Sequence, residues 1–517
     1  MKTMKKIRLL VTSDTHAQWH QHPEDLNYSL KDTANLLKKL QKECSLPTLQ
    51  FDLGDFIQGS AMATYTSQIE HSAEVYARAM NDLHYNYQII GNHEFNFGLP
   101  YQASALDKLQ ANILCANILD TKTRQPFIGK AYDLIELAGI KVGIVGLTTH
   151  YIPNWELPQH YQGLEFIDAF ESAKFYVKLL RPKVDLLIVA YHGGFERDLS
   201  TGEPLEVLTG ENQAYQMITQ LPEIDILLTG HQHRLICQPF KNSFVLQPGY
   251  GGEVVGEVVV DFETRLNVSY KGRLCSFREE AEEIELSSVE PEYSKSKKWL
   301  NEILGYAPIQ MMSEDSHQAR IIGHPFVEHI NYLMLKYTNC DFAGISLLND
   351  HFVEFQGPIS REKLLTIYPF YNQIAIVELT GEEIYAVMEH NMAYFIEDEH
   401  RAIQVNPNYL FPKTKHYNYD LYSGFLCKVK LSENIGNRVV EIIDEQTQKP
   451  LILNQNYRLA VTQYRAVGGG DYQAFTPDKI LTITDMDVAS LIEKGLDELS
   501  NLEWHHINSK YMHLKWL

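Results

Sequence analysis

Short apolar runs alternate with segments of helical spacing across the first half of the chain. Runs at 7–13, 48–53, 88–90, 112–116, 142–146, 185–190 and 225–229 end in polar or Gly-containing stretches and predict strands. Between them, 30–41, 74–82, 103–109, 169–180 and 212–221 carry apolar residues at spacings suited to amphipathic helices. Strand–helix alternation of this kind predicts an α/β architecture with helices covering the sheet faces. Residues 244–262, with Pro248-Gly249-Tyr250-Gly251-Gly252 inside them, predict strands joined by a tight turn.

A charged stretch, 278–292, then a helical one, 293–304, interrupts this pattern and predicts a linker. Beyond it a second α/β region is expected, with helices at 325–337 and 380–394 and strands at 342–347, 425–431, 439–443 and 458–462. The expected domains are 1–277 and 318–517, with 278–317 between them, and a chain of 517 residues accommodates two large domains.

Composition changes this picture little, since 44% hydrophobic and 21% charged residues are ordinary for a globular chain. The net charge of -21 argues against binding a nucleic-acid polymer, which needs cationic surface to neutralise phosphates. A small phosphorylated substrate stays admissible, because bound divalent cations invert the field inside one cleft. Cys44, Cys115, Cys237, Cys275, Cys340 and Cys427 are scattered without a Cys-x-x-Cys pair, a pattern of reduced thiols. The apolar run at the N-terminus leads straight into Thr12-Ser13-Asp14 with no cleavage signature, and no later run is long enough to span a bilayer. The expectation is a soluble, cytoplasmic protein with no membrane association.

Candidate chemistry sits where the apolar runs stop. Asp14-Thr15-His16, Gly54-Asp55, Gly91-Asn92-His93-Glu94, His192-Gly193-Gly194 and Gly230-His231-Gln232-His233 each follow a predicted strand. Singly, each has an ordinary reading: Asp14 or Asp55 as a helix cap, Asn92 as a turn, His192 as a satisfied polar side chain. Together they describe one mouth, because sites in open α/β sheets form where the carboxyl ends of strands converge. His231 and His233, two apart on an extended segment, leave the same side of the backbone. Carboxylate, amide oxygen and imidazole without thiolate suit Zn, Mn, Fe or Co. Such a set suits two divalent cations about 3.5–4 Å apart with one shared carboxylate.

This ordered set, Asp14-x-His16, Gly54-Asp55, Gly91-Asn92-His93-Glu94, His192 and Gly230-His231-x-His233, resembles the signature of the calcineurin-like metallophosphoesterases. The second half resembles the C-terminal domain shared by 5′-nucleotidases and 2′,3′-cyclic-nucleotide 2′-phosphodiesterase/3′-nucleotidases. It does so through Tyr368-Pro369-Phe370-Tyr371-Asn372, Ser423-Gly424-Phe425 and Tyr464-Arg465-Ala466-Val467-Gly468-Gly469-Gly470-Asp471. The resemblance implies layered β-sheets flanked by helices, followed by an α/β substrate-binding domain. It implies one divalent ion on Asp14, His16, Asp55 and His233, and another on Asp55, Asn92, His192 and His231. It further implies that His93 ligates neither ion and instead faces the substrate, stabilising the transition state or protonating the leaving oxygen. In the second domain it implies a base held between Tyr419 and Tyr464, with Tyr417 as a rival to Tyr419, and Asp471 accepting from the ribose.

Two departures bear on the substrate. Asn96 stands where 5′-nucleotidases of this family carry the aspartate that partners the catalytic histidine; the cyclic-phosphodiesterase branch carries Asn. Near Gly344-Ile345-Ser346-Leu347-Leu348-Asn349-Asp350 the Gly-rich, Arg-terminated loop of the 5′-nucleotidases is missing. The resemblance therefore implies a hydrolase for small nucleotides, acting on 2′,3′-cyclic nucleotides and 3′-nucleotides, with His93 and Asn96 as its catalytic pair. A 5′-nucleotidase or UDP-sugar hydrolase on the same scaffold is the alternative, and a catalytically silent nucleotide-binding protein is the second.

Overall fold

The structure is a computed structural model that describes residues 5–18, 30–264, 267–276, 288–311, 315–348, 355–368, 371–511 and 513–517. Two compact units divide the chain, Met1–Lys297 and Lys298–Leu517.

The first unit is built on two six-stranded sheets. In one, Lys5–Thr12, Thr48–Asp52, Tyr87–Ile89 and Asn112–Leu114 run parallel, and Val254–Thr264 and Asn267–Ser276 complete the far edge in antiparallel register. In the other, Ile140–Thr148, Leu186–His192, Ile226–Thr229 and Ser243–Pro248 run parallel, with Tyr132–Leu137 and Leu235–Phe240 antiparallel at the edges. Alternate residues of each strand enter different cores, as the two-residue period of a strand requires. Ile7, Leu9 and Val11 share a core with Val142, Ile144, Leu186, Ile188, Ile226 and Leu228, so the two sheets pack face to face. Leu10 belongs to the helix-covered side of the first sheet, and Leu187, Val189 and Tyr191 to that of the second. Burial on both faces is why these strands read as continuous apolar runs rather than as alternation.

Several expectations shift. The strands within 244–262 are Ser243–Pro248 and Val254–Thr264, but they do not pair with each other. Their glycine turn, with Gly249, Gly251 and Gly252 all at positive φ, carries the chain from one sheet to the other. The helix expected at 103–109 is Gly98–Leu106, started by Gly98 at φ 79° and carrying Pro100 in its first turn, where a missing N–H costs nothing. The helix Ala61–Tyr65 gave no periodic signal, being short and mostly buried. The division between the two units falls within the stretch expected as a linker. Its first ten residues, 278–287, lie outside the described residues; Glu290–Leu300 is a helix; Ile303–Ala307 pairs with Gly357–Ser360 in the second unit.

The second unit centres on a five-stranded sheet, ordered Asp420–Ser423, Phe342–Ser346, Asn456–Thr462, Gln373–Thr380 and Ile480–Asp487. A four-stranded sheet holds Phe425–Val429 and Val439–Asp444, with Leu514–Trp516 beside them. The predicted helices are present as Pro325–Thr338 and Gly381–Met392, the latter begun by a Thr380/Glu383 capping box.

One buried polar junction ties the C-terminal segment to this unit. His513 pairs through Nε2 with Glu328 and through Nδ1 with Glu445, each at 2.9 Å. Burial alone would depress the imidazole, but the two carboxylates override it and raise His513 to about 9. A raised folded-state pKa gives stability that is complete below the unfolded value and lost as pH climbs through the folded one. The contribution, about 3 kcal/mol, is therefore expected to disappear between pH 6.5 and about 9. Urea unfolding of the second unit at these two pH values checks this: the difference is expected to vanish in His513→Ala, and a difference that survives the substitution refutes the assignment.

Candidate metal centre

Five of the parallel strands, Lys5–Thr12, Thr48–Asp52, Tyr87–Ile89, Leu186–His192 and Ile226–Thr229, lead into the polar clusters, and these clusters meet. Asp14, His16 and His233 place one ligand atom each within 4.8 Å of one another, as do Asp55, His192 and His231. His16 Nε2 lies 3.1 Å from His233 Nε2, and His233 Nε2 lies 3.5 Å from an Asp14 oxygen. Asn92 Oδ1 is 3.1 Å from His192 Nε2 and 2.9 Å from His231 Nδ1, and Asp55 Oδ2 is 3.2 Å from His192 Nε2. Asp55 also belongs to a third group with His16 and His93, which puts its carboxylate between the other two.

The loops reach this geometry through unusual backbone. Asp14, His16, Asp55, His231 and His233 all have φ between 50° and 68°. Left-handed backbone costs a residue with a Cβ roughly 1 kcal/mol or more, and such residues gather at functional sites. Close packing of the loops adds a second demand. A Cβ on Gly54 would meet Gly91 N at 2.3 Å, and one on Gly230 would meet Ser13 Oγ at 2.2 Å, so only glycine lets the strand ends come together.

Three histidines have the nitrogen remote from the cluster tied to an oxygen. His16 Nδ1 donates to Gln58 O at 3.0 Å, His192 Nδ1 to Leu53 O at 2.7 Å, and His231 Nε2 to Glu211 Oε1 at 2.8 Å. A carbonyl or carboxylate oxygen can only accept, so each remote nitrogen carries the proton and each inward nitrogen presents its lone pair. That is the arrangement a metal ligand needs, with the inward nitrogen of His192, which Asp55 favours protonated, giving up its proton to a bound cation.

Charge compensation is strong. Burial opposes ionisation of Asp14 and Asp55, yet the His233 hydrogen bond at Asp14 and the His192 charge at Asp55 hold both carboxyls well below the ordinary range. Burial likewise opposes charge on His192, but Asp55 pushes it up to about 10. Clustered, buried anionic oxygens beside inward lone pairs fit a pair of divalent cations.

His93 stands at the edge of the cluster, its ring 5.1 Å from that of His16. Its backbone N–H donates to Asp55 at 2.8 Å, and its Nδ1 donates to Asn96 Oδ1 at 2.6 Å. The structure thus brings Asp14, His16, Asp55, Asn92, His93, Asn96, His192, His231 and His233 into one neighbourhood.

In the second unit the predicted base platform divides. Tyr419 is a correction: it is 0% exposed, its ring stacks on Tyr394 at 4.7 Å, and its hydroxyl donates to Arg320 O at 2.9 Å. A ring enclosed in the core has no face for a base. Tyr417, its rival, is half-buried with its ring 6.4 Å from that of Tyr464, which is also half-buried. Asp471 is exposed, at φ 64° just after the glycines. Residues 369–370 of the quoted Tyr-Pro-Phe-Tyr-Asn string and 349–350 of the Gly344 segment lie outside the described residues.

Sequence reasoning missed residues that touch the site without a motif of their own. Trp155 stacks on His231 at 5.5 Å and Tyr250 on His233 at 4.7 Å. Glu211 and Gln58 lie in loops without a strand-end signature, so nothing in their spacing marks them.

Comparisons with known proteins agree with this geometry. Residues 7–235 match the family model for calcineurin-like phosphoesterase, and 307–477 match that for the 5′-nucleotidase C-terminal domain. The chain is 23% identical to the 2′,3′-cyclic-nucleotide 2′-phosphodiesterase/3′-nucleotidase of Salmonella typhimurium, over 90% of this chain and 81% of that protein. It is 21% identical to a 5′-nucleotidase of Vibrio vulnificus, over 97% and 92%. A Staphylococcus aureus structure named as a 5′-nucleotidase, in complex with alpha-ketoglutarate, superposes with a TM-score of 0.92 at 29% identity, covering 99% of this chain and 100% of that one.

The Glu211 contact gives a test of the centre. Glu211→Ala frees the remote nitrogen of His231 and is expected to weaken divalent-cation affinity about 10- to 100-fold, read by competition with a chromogenic chelator. Unaltered affinity would show that the contact does not orient His231.

Proposed function

We propose, given that the chain joins a calcineurin-like phosphoesterase domain to a 5′-nucleotidase C-terminal domain, that it hydrolyses phosphate esters of small nucleotides, with 2′,3′-cyclic nucleotides and 3′-nucleotides as its substrates. The observation that carries the reading is the pair of ligand groups, Asp14/His16/His233 and Asp55/His192/His231, linked by a third in which Asp55 lies beside His16 and His93, with His93 held through Nδ1 by Asn96. Asp14, His16 and His233 would hold one divalent cation and Asn92, His192 and His231 the other, with Asp55 serving both. When bound, such a pair supplies a water deprotonated near neutral pH and offsets phosphoryl charge. Mn, Zn, Fe and Co all suit the donor set.

The chain's own residues do the rest. His93, held through Nδ1, keeps Nε2 as the position that, when the ring is doubly protonated, gives a proton to the departing ribose oxygen. Asn96 in place of an aspartate supports the cyclic-nucleotide branch. Tyr464 and Tyr417 offer partly exposed rings for a base, and stacking tolerates any base because every base has a π-face. Asp471 is the acceptor for ribose hydroxyls. Unpaired cysteines throughout support a reducing, cytoplasmic setting.

A second reading, a 5′-nucleotidase, is favoured by the likeness to the Staphylococcus aureus structure. Phosphate release from 2′,3′-cyclic AMP, 3′-AMP and 5′-AMP in Mn²⁺ separates the two: the first pair is expected to turn over faster, and turnover confined to 5′-AMP selects the second reading. His93→Ala is expected to lower kcat about 10²- to 10⁴-fold with cation affinity unchanged. Tyr464→Ala is expected to raise KM roughly 5- to 150-fold at constant kcat, the effect of one lost base–ring stack; a KM at the wild-type value removes Tyr464 from the site.

A further inference from the structure

Asn96 looks, by sequence, like a weakened partner for His93, because an amide orients an imidazole but carries no charge to stabilise its cation. The structure changes that picture. Asn96 Nδ2 donates to Glu156 Oε2 at 2.8 Å while Asn96 Oδ1 accepts from His93 Nδ1 at 2.6 Å. Glu156 is 4% exposed. Its other oxygen, Oε1, accepts from Leu157 N at 2.9 Å and faces His160 Nδ1 at 2.7 Å, so the carboxylate is clamped with Oε2 turned to Asn96.

We infer that Glu156 is the carboxylate of the His93 partnership, displaced outward by one hydrogen bond and acting through the Asn96 amide. This rests on the reading of His93 as the group that protonates the leaving oxygen. Glu156 is a positioning residue, since it touches neither substrate nor His93.

The argument is one of direction. The two sides of an amide are not interchangeable: one donates and the other accepts. A carboxylate can only accept, so Glu156 fixes Nδ2 toward itself and Oδ1 toward His93. Were the amide reversed, two oxygens would face each other at the 2.8 Å separation of Asn96 and Glu156. With Oδ1 fixed, His93 Nδ1 must be the protonated nitrogen, and Nε2 is the one left for exchange at the site. Donation to a carboxylate also polarises the amide and strengthens Oδ1 as an acceptor, so part of the charge is relayed to the ring. A Glu156–Asn96–His93 chain thereby supplies orientation, tautomer and partial charge compensation together.

The pairing has a signature that a merely structural contact lacks. Asn96→Asp recreates the direct carboxylate partner, yet here it sets that carboxylate against Glu156, and like charges in contact are destabilising. In wild-type background Asn96→Asp is expected to lower kcat about tenfold; in Glu156→Gln background the same substitution is expected to raise it. Equal effects in both backgrounds overturn the proposal. Glu156→Gln alone is expected to lower kcat about tenfold with KM and metal content unchanged. A change in KM or metal content without a change in kcat overturns it too.

A readout independent of turnover separates this inference from the one beneath it. In the full-length, Zn²⁺-loaded chain with ¹⁵N-labelled histidine, the His93 ring is expected to show the Nδ1–H tautomer, lost in Glu156→Ala. A tautomer that stays in place in the variant overturns the proposal whatever the activity. A tautomer that shifts while His93→Ala retains full activity leaves the pairing intact and removes only the leaving-group role.

Discussion

Buried backbone N–H groups at the strand ends must find acceptors, and the carboxylates of the metal centre supply them. Glu94 accepts from the backbone of Asp55 at 2.9 Å and of Phe56 at 2.8 Å, and also from Gly91, so one side chain closes two ligand loops onto each other. Burial and the Asp55 charge push Glu94 up to about 8, while these amides pull it the other way. Asp14 accepts from His231 N at 3.0 Å and Asp55 from His93 N at 2.8 Å. Asp14 and Asp55, which would hold cations, therefore also hold the loops, and neither can shift without breaking a buried backbone hydrogen bond, a loss of about 1–3 kcal/mol.

The same economy governs the histidines. In His192, His16 and His231 the inward nitrogen is presented because the remote nitrogen is occupied by Leu53 O, Gln58 O and Glu211 respectively. Two of these acceptors are backbone carbonyls, which the sheet ends position without any particular side chain. His93 is held instead by a side-chain chain, Asn96 to Glu156, and it is the histidine at the edge of the cluster. His16 and His192 are thus held by main chain, while His231, through Glu211, and His93, the residue assigned to proton transfer, are held by side chains.

A buried ion pair plays the corresponding part in the second unit. Arg465 binds both oxygens of Asp420, at 2.6 and 2.9 Å, and reaches Tyr417 O at 3.2 Å and the carbonyl of Gly469. One guanidinium thereby ties the glycine turn to the segment bearing Tyr417 and sets the half-buried rings of Tyr417 and Tyr464 beside each other. Removing one partner of such a pair leaves a buried charge uncompensated, at a cost of about 3–5 kcal/mol. Tyr419, two residues along the chain from Tyr417, points instead into the core.

The sequence by itself determined the strand-ended grammar of the first unit: apolar runs closed by Asp, Asn and His, which is why the α/β class and the gathering of these polar side chains could be read from it. Signals of this kind survive because they are local, each being a run and the few residues after it. What the tertiary structure decided is everything that depends on which face or partner a residue meets. The turn at Gly249–Gly252 joins two sheets rather than closing a hairpin because Val254–Thr264 finds its partner in Lys5–Thr12. Tyr419 and Tyr417 differ in burial because Tyr417 lies in the single turn His416–Asn418, while Tyr419 leaves that turn into the core just before the strand Asp420–Ser423. Glu156 and Glu211 gain their meaning only from contacts spanning 60 and 20 residues, at distances no periodicity records.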